Sequence, residues 1–239
     1  MRYKITGDNL QIVTMELQPN EKIFAEAGAM VYMSANMNMQ ARARGGLMKG
    51  LKRAVMGESF FVTEFWPQGG SGLAAFAGNA PGTIKPIVLD GNKQFMAQRD
   101  AFLCAENGIM MDIAFQKKLS AGFFGGEGFI LQRIFGQGTA FIHACGDFVE
   151  MDLQPNQTIK VDTGSVVGWD STVRYDIQRA GNIKTSLFGG EGLFLTILTG
   201  PGKVILQSMT LHNLASALRP YIGQSSGNTG AGIGSLLGQ

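Results

Sequence analysis

Three glutamates stand in one local setting. Glu58 lies in Gly57-Glu58-Ser59-Phe60, Glu127 in Phe124-Gly125-Gly126-Glu127-Gly128-Phe129, and Glu191 in Phe188-Gly189-Gly190-Glu191-Gly192-Leu193. Three carboxylates gathered around one axis could bind a hard cation through oxygen. A glycine turn explains the same recurrence without a ligand, because a carboxylate can accept backbone N–H bonds in the turn that carries it. Repetition is what a shared fold requirement produces, so the turn reading is preferred and the cation ring is its functional alternative. The pairs Gly125-Gly126 and Gly189-Gly190 could form anion-binding nests. Neither sits in a phosphate-loop or dinucleotide fingerprint with a helix behind it, so a turn role suits them better.

Other reactive side chains are few. His143 and His212 are the only histidines, so a triad of imidazoles cannot form in one chain. Cys145 is two residues from His143, which puts both on one face of a strand. No third group that would orient such a pair is evident, so it does not read as a nucleophile and base. Cys104 and Cys145 have apolar neighbours and read as buried thiols rather than as a disulfide scaffold. The segment Leu47–Met56 alternates Leu47, Leu51 and Val55 with Lys49, Lys52 and Arg53. It could touch a membrane surface or an acidic partner, although a basic loop resting its leucines on a sheet is the plainer reading. Met30, Met33, Met37 and Met39 fall on a strand-like stretch, as core filling first and an adaptable contact surface second.

The elements that would carry these residues come in copies. Met15-Glu16-Leu17-Gln18-Pro19-Asn20 returns as Met151-Asp152-Leu153-Gln154-Pro155-Asn156, an offset of 136 that also aligns Ile23 with Ile159, Glu26 with Asp162 and Gly28 with Gly164. The glycine–glutamate motif returns with an offset of 64 between Glu127 and Glu191, and the same offset aligns Leu89 and Asn92 with Leu153 and Asn156. Three imperfect copies of about 65 residues follow, at 1–78, 79–145 and 146–209. Each reads as a strand, a turn, a second strand, a variable stretch and the glycine–glutamate turn. An apolar strand comes next (Phe60–Trp66, Phe129–Phe135, Leu193–Thr199), with one polar position at Thr63, Gln132 or Thr196, then a glycine turn and a last strand. Residues 210–222 read as a helix with Leu214 and Leu218 on one face, and 223–239 as a flexible Gly/Ser-rich tail.

Composition agrees with many short strands. Glycine contributes 34 of 239 residues, about twice its usual share. Net charge is +2, too balanced to imply nucleic acid. The uncharged stretch from Phe65 to Ile84 contains Pro67, Pro81 and several glycines, so it is not a transmembrane helix. The N-terminus runs into alternating structure without a signal core, which points to a cytoplasmic protein.

The Leu-Gln-Pro-Asn turn, the glycine–glutamate–phenylalanine turn and Leu51-Lys52-Arg53 ahead of Gly57-Glu58-Ser59-Phe60-Phe61 resemble prokaryotic members of the altered-inheritance-of-mitochondria family, number twenty-four. The likeness covers about residues 1–210. It implies an all-β fold of β-sandwich-like units similar to the tryptophan-RNA-binding attenuation protein, no assigned activity and no catalytic residue to carry over. The combined expectation is a non-enzymatic, homo-oligomeric scaffold or binding protein without metal or cofactor. It could also contact a protein or membrane surface. Two competitors are weaker. An RNA-binding ring lacks a basic stripe with interleaved aromatics, and a metal-dependent β-helix enzyme lacks a facial triad of His and carboxylate.

Overall fold

The turns are built first by short-range chemistry. In two of them an asparagine takes the left-handed conformation that its side chain tolerates, Asn20 at φ 73° and Asn156 at φ 65°. The backbone around each is tied by a side chain: Gln18 N–H donates to Glu21 Oε2 at 2.8 Å, and Gln154 N–H to Gln157 Oε1 at 2.9 Å. The corresponding Asp90-Gly91-Asn92 turn uses Asp90 Oδ1, which accepts from Asn92 and Lys93 N–H. Strands flank these turns with alternating burial, as in Ile12–Leu17, where Val13, Met15 and Leu17 point inward.

The computed structural model describes residues 1–44, 60–117, 129–179 and 194–221. The fold is all-β. In chain order the strands are β1 (Arg2–Thr6), β2 (Ile12–Leu17), β3 (Ile23–Glu26), β4 (Met30–Met33), β5 (Met37–Arg44), β6 (Phe60–Pro67) and β7 (Gly72–Ala77). There follow β8 (Gly82–Asp90), β9 (Phe95–Gln98), β10 (Phe102–Glu106), β11 (Ile109–Lys117) and β12 (Phe129–Cys145). The last are β13 (Phe148–Leu153), β14 (Thr158–Asp162), β15 (Val166–Asp170), β16 (Arg174–Arg179), β17 (Phe194–Thr199) and β18 (Gly202–Gln207). One helix, α1 (Leu211–Leu218), closes the described chain. Thr210 caps it, its Oγ1 accepting from Asn213 N–H at 3.0 Å. The helix is shorter than the expected 210–222 and buries no residue. Among the described residues no helix is long and apolar enough to cross a membrane.

All pairings between named strands are antiparallel, and they come in sets of three. β7 lies between β2 and β4, the second half of β12 between β8 and β10, and β18 between β13 and β15. β6 lies between β3 and β5, the first half of β12 between β9 and β11, and β17 between β14 and β16. Two further pairings join these groups: β10 to β3, and β15 to β9. The result is an 11-stranded sheet flanked in sequence by a four-stranded one (β1-β2-β7-β4) and a three-stranded one (β14-β17-β16).

The second of these groups, in the middle of the chain, differs from expectation. A glycine turn was expected after Phe135, yet β12 continues through it for 17 residues. Gly136 and Gly138 have φ of 106° and 135°. Those values are open to glycine and strained for other residues, so the strand bends there and passes from one set of partners to the other without a break.

Side chains fill three cores. Val13, Met15, Phe65 and Phe76 define one, Phe24, Phe95, Phe102 and Ile134 the next, and Phe129, Leu131, Trp169 and Leu198 the last. The cores are shared across the joins. Leu103, Cys104 and Phe141 are set in the first core although they come from β10 and β12. Val167 and Ile205, from β15 and β18, are set in the second. Each joining strand pair is therefore backed by apolar contact as well as by a ladder of hydrogen bonds.

Candidate functional site

Glu58, Glu127 and Glu191 lie outside the described residues, as do both glycine pairs, Lys49, Lys52, Arg53 and the 223–239 tail. The strands on either side of the three glutamates are described. Their last register pairs are Arg44↔Phe60, Lys117↔Phe129 and Arg179↔Phe194. The three motif segments therefore connect equivalent antiparallel pairs.

Within the described residues, polar chemistry concentrates where β3 meets β10. Glu26 ends β3 and lines two hollows, of about 240 and 290 Å³. The first also holds Asp100 and His143, and the second Arg99 and Gln132. Asp100 sits in a single 3₁₀ turn, Arg99–Ala101, that Gln98 organises from both ends of its amide. Gln98 Oε1 accepts from Asp100 N–H at 2.6 Å, and its Nε2 donates to Asp100 Oδ2 at 3.1 Å. Burial pushes the Glu26 carboxyl up to about 7; the Asp100 charge adds to the rise and Arg99 opposes it. Glu26 can thus hold or release a proton near neutrality.

His143 is shaped into its hollow by glycine. Its imidazole ring lies where a Cβ on Gly78 would fall, so only glycine fits there. Burial lowers its pKa below the usual imidazole value, against a backbone hydrogen bond with Ala80 that raises it. Gln132, the polar position expected inside the apolar strand, is 3% exposed, and its Oε1 has no partner among the described residues. Its counterpart Thr196 is satisfied, donating to Thr163 Oγ1 at 3.0 Å.

The join between β9 and β15 has neutral groups in the same places. Gln98 ends β9 as Glu26 ends β3. Gly164 follows β14 in a 3₁₀ turn of its own, and Gln207 occupies on β18 the position of His143 on β12. Gln207 is fully engaged, donating from Nε2 to Gly164 O at 2.8 Å and accepting from Cys145 N–H at 2.9 Å. Ionisable groups gather at the first join, while the second is closed by amide hydrogen bonds.

Both cysteines are buried, and burial pushes both thiols up, most strongly Cys104. The Cys145–His143 pair thus lies on one strand, as its spacing requires, with the thiol held in its protonated form. His212 is on α1, away in sequence from the hollows. Among the methionines, Met37 is buried, Met30 and Met33 pack against the first core, and Met39 is exposed. Sequence reasoning missed the Glu26 hollow. The available signal was the match of Glu26 to Asp162 at the end of a strand, beside the Arg99-Asp100 pair of the next copy.

Two strand edges complete the picture. β3 and β9 are paired on both sides, and so are β10 and β15, but among the described residues β4 pairs only with β7 and β14 only with β17. Among the described residues β5, β11 and β16 pair on one side in every group, and so do β8 and β13, whereas their counterpart β2 is covered by β1. The edges at β4 and β14 are open only at the ends of the series.

The chain is similar along nearly its whole length to proteins without an assigned activity. An uncharacterised protein of Streptococcus pyogenes serotype M6 is 29% identical over 235 residues, covering 95% of this chain and 93% of that protein. A crystal structure of a Streptococcus pyogenes protein superposes with a TM-score of 0.75 at 27% identity, over 92% of this chain and 99% of that one. The family model described as mitochondrial biogenesis AIM24 matches residues 3–209.

Proposed function

The chain belongs to the AIM24 family, and from that premise we propose that it is a non-enzymatic scaffold that works as a homo-oligomer, presenting surfaces to a partner rather than transforming a substrate. It is read as three copies of one six-stranded unit, with a β1 strand added to the first copy. The observation that carries the reading is the pair of end edges, β4 and β14, each lacking among the described residues the strand that its counterparts have. An open edge is a template for another strand, and proteins normally cover such edges. Apolar surface goes with it: Val31 is 55% exposed, whereas its counterparts Leu103 and Val167 are each 1% exposed.

The buried, protonated thiols agree with a binding role. Light scattering coupled to size exclusion at micromolar concentration tests it. The expected mass is a multiple of 25.6 kDa that falls on dilution. A single species at 25.6 kDa, unchanged on further concentration, refutes the scaffold reading.

A further inference from the structure

We infer that the β4 edge of one chain pairs with the β14 edge of a second copy, antiparallel, in the register Tyr32↔Val161, Met33↔Lys160 and Ser34↔Ile159. This inference rests on the oligomeric reading above and names its contact.

The register comes from the two joins inside the chain. At the first, Cys104 faces Ala25, Ala105 faces Phe24 and Glu106 faces Ile23. At the second, Gly168 faces Ala97, Trp169 faces Met96 and Asp170 faces Phe95. The two are the same join. Ala25 and Ala97 are each the residue whose other neighbour is the polar position of the apolar strand, Thr63 and Gln132. On β14 that residue is Val161, opposite Thr196.

The other partner is marked by a bulge. β10 slips register against β12 between Phe102 and Cys104, and β15 slips against β18 between Val166 and Gly168. β4 slips against β7 between Met30 and Tyr32. Tyr32 is therefore the counterpart of Cys104 and Gly168, which sets it against Val161. The joins also end alike: Asn107 N–H donates to Lys22 O, and Ser171 N–H to Gln94 O, both at 3.1 Å. The corresponding bond between two chains runs from Ala35 N–H to Thr158 O.

Burial singles out the same residues. Ile23, Phe24, Phe95 and Met96 are buried at the inner joins, whereas their counterparts on β14, Ile159 and Lys160, are half-buried and exposed. A second copy is the occupant with both the matching bulge and the matching strand, because one chain carries one half of the join at each end. The contact is heterologous, so it builds a closed ring or an open filament according to the rotation at each step.

The register makes Tyr32↔Val161 a pair without mutual backbone hydrogen bonds, the closer kind of antiparallel pair and the better one for a disulfide. The test mixes two separately purified full-length variants, Tyr32→Cys and Val161→Cys, under mild oxidation, with native protein as the background for Cys104 and Cys145. A disulfide-linked dimer is expected from the mixture and from neither variant alone. Mixing Tyr32→Cys with Ile159→Cys, two residues out of register, is expected to cross-link at least about tenfold more slowly, since diagonal neighbours are farther apart. Val31→Lys, at a position exposed in the single chain, is expected to weaken self-association by about tenfold or more while leaving circular dichroism unchanged.

An oligomer that persists with no Tyr32–Val161 cross-link and no effect of Val31→Lys overturns the inference and leaves the scaffold reading standing. A monomer by light scattering overturns both. So does a Tyr32→Cys/Val161→Cys double variant that closes its disulfide within one chain.

Discussion

Replacing Glu26 by glutamine should change how stability depends on pH. Glu26 rises from 4.5 to about 7 in the folded protein, chiefly through burial, with Asp100 adding to the rise, Arg99 opposing it, and His143 lining the same hollow. The folded state therefore holds this proton more tightly than the unfolded chain does. Below about pH 4.5 both states keep it and the site costs nothing. As pH rises towards 7 the unfolded carboxyl ionises first, and folding becomes less favourable; above about 7 the full penalty is present. A displacement of that size corresponds to roughly 3 kcal/mol, and solvent screening reduces it to about 2 kcal/mol.

Glu26→Gln removes the titration, and Gln98 shows that an amide fits the corresponding place. The difference in stability, variant minus native, should rise by about 2 kcal/mol between pH 4 and pH 8, or roughly 4–8 °C in Tm for a chain of this size. His143 titrates in the opposite sense, its lowered pKa withdrawing stability as pH falls, but it is present in both proteins and cancels in the difference. Thermal melts of both proteins across that range are the assay. Parallel curves from pH 4 to pH 8 would refute the argument that burial holds the Glu26 proton.

Phe141→Ala should cost about 3–5 kcal/mol, because the ring is 0% exposed, packs edge-on to Tyr3 and fills the core across the first join; urea denaturation measures it, and a loss below about 1 kcal/mol would contradict the shared core. Neither thiol should react with a thiol-specific reagent in the native protein, and both should react in denaturant, since Cys104 and Cys145 are 0% and 3% exposed; fast labelling of the native protein would show that the cores open readily. Arg133→Ala should cost no more than about 1 kcal/mol, since its pair with Asp112 is partly open to water and screened; salt titration should narrow even that difference.

Much of the strand layout was legible in the sequence. The Pro-Asn turns declare themselves, because Asn20 and Asn156 adopt the left-handed geometry that favours asparagine. The polar position inside the apolar strand was visible too, and it proves to be the residue opposite Ala25, Ala97 and Val161. Periodicity could not reveal β4, β10 and β15. They are four or five residues long, and at the inner joins both faces are buried, so no alternation marks them. The passage of β12 through its glycines was also hidden, since glycine marks a bend and a turn with the same letter. The Glu26 hollow depends on residues from separate copies meeting at a join, and nothing local in the sequence brings Glu26, Asp100 and His143 together.

The unbroken course of β12 bears on how the molecule comes apart. In an ordinary stacked array each module touches only its neighbours, and the ends can melt while the middle holds. Here one strand, about 56 Å long at the usual rise, belongs by its first half to one module face and by its second half to another. Its first half is laced to β9 and β11 and its second to β8 and β10, so no hinge divides the two inner faces. Loosening one face pulls on the backbone of the next. Because β10 carries the join to the first copy and β9 the join to the third, this one strand acts as a strut running through the middle copy from one join to the other.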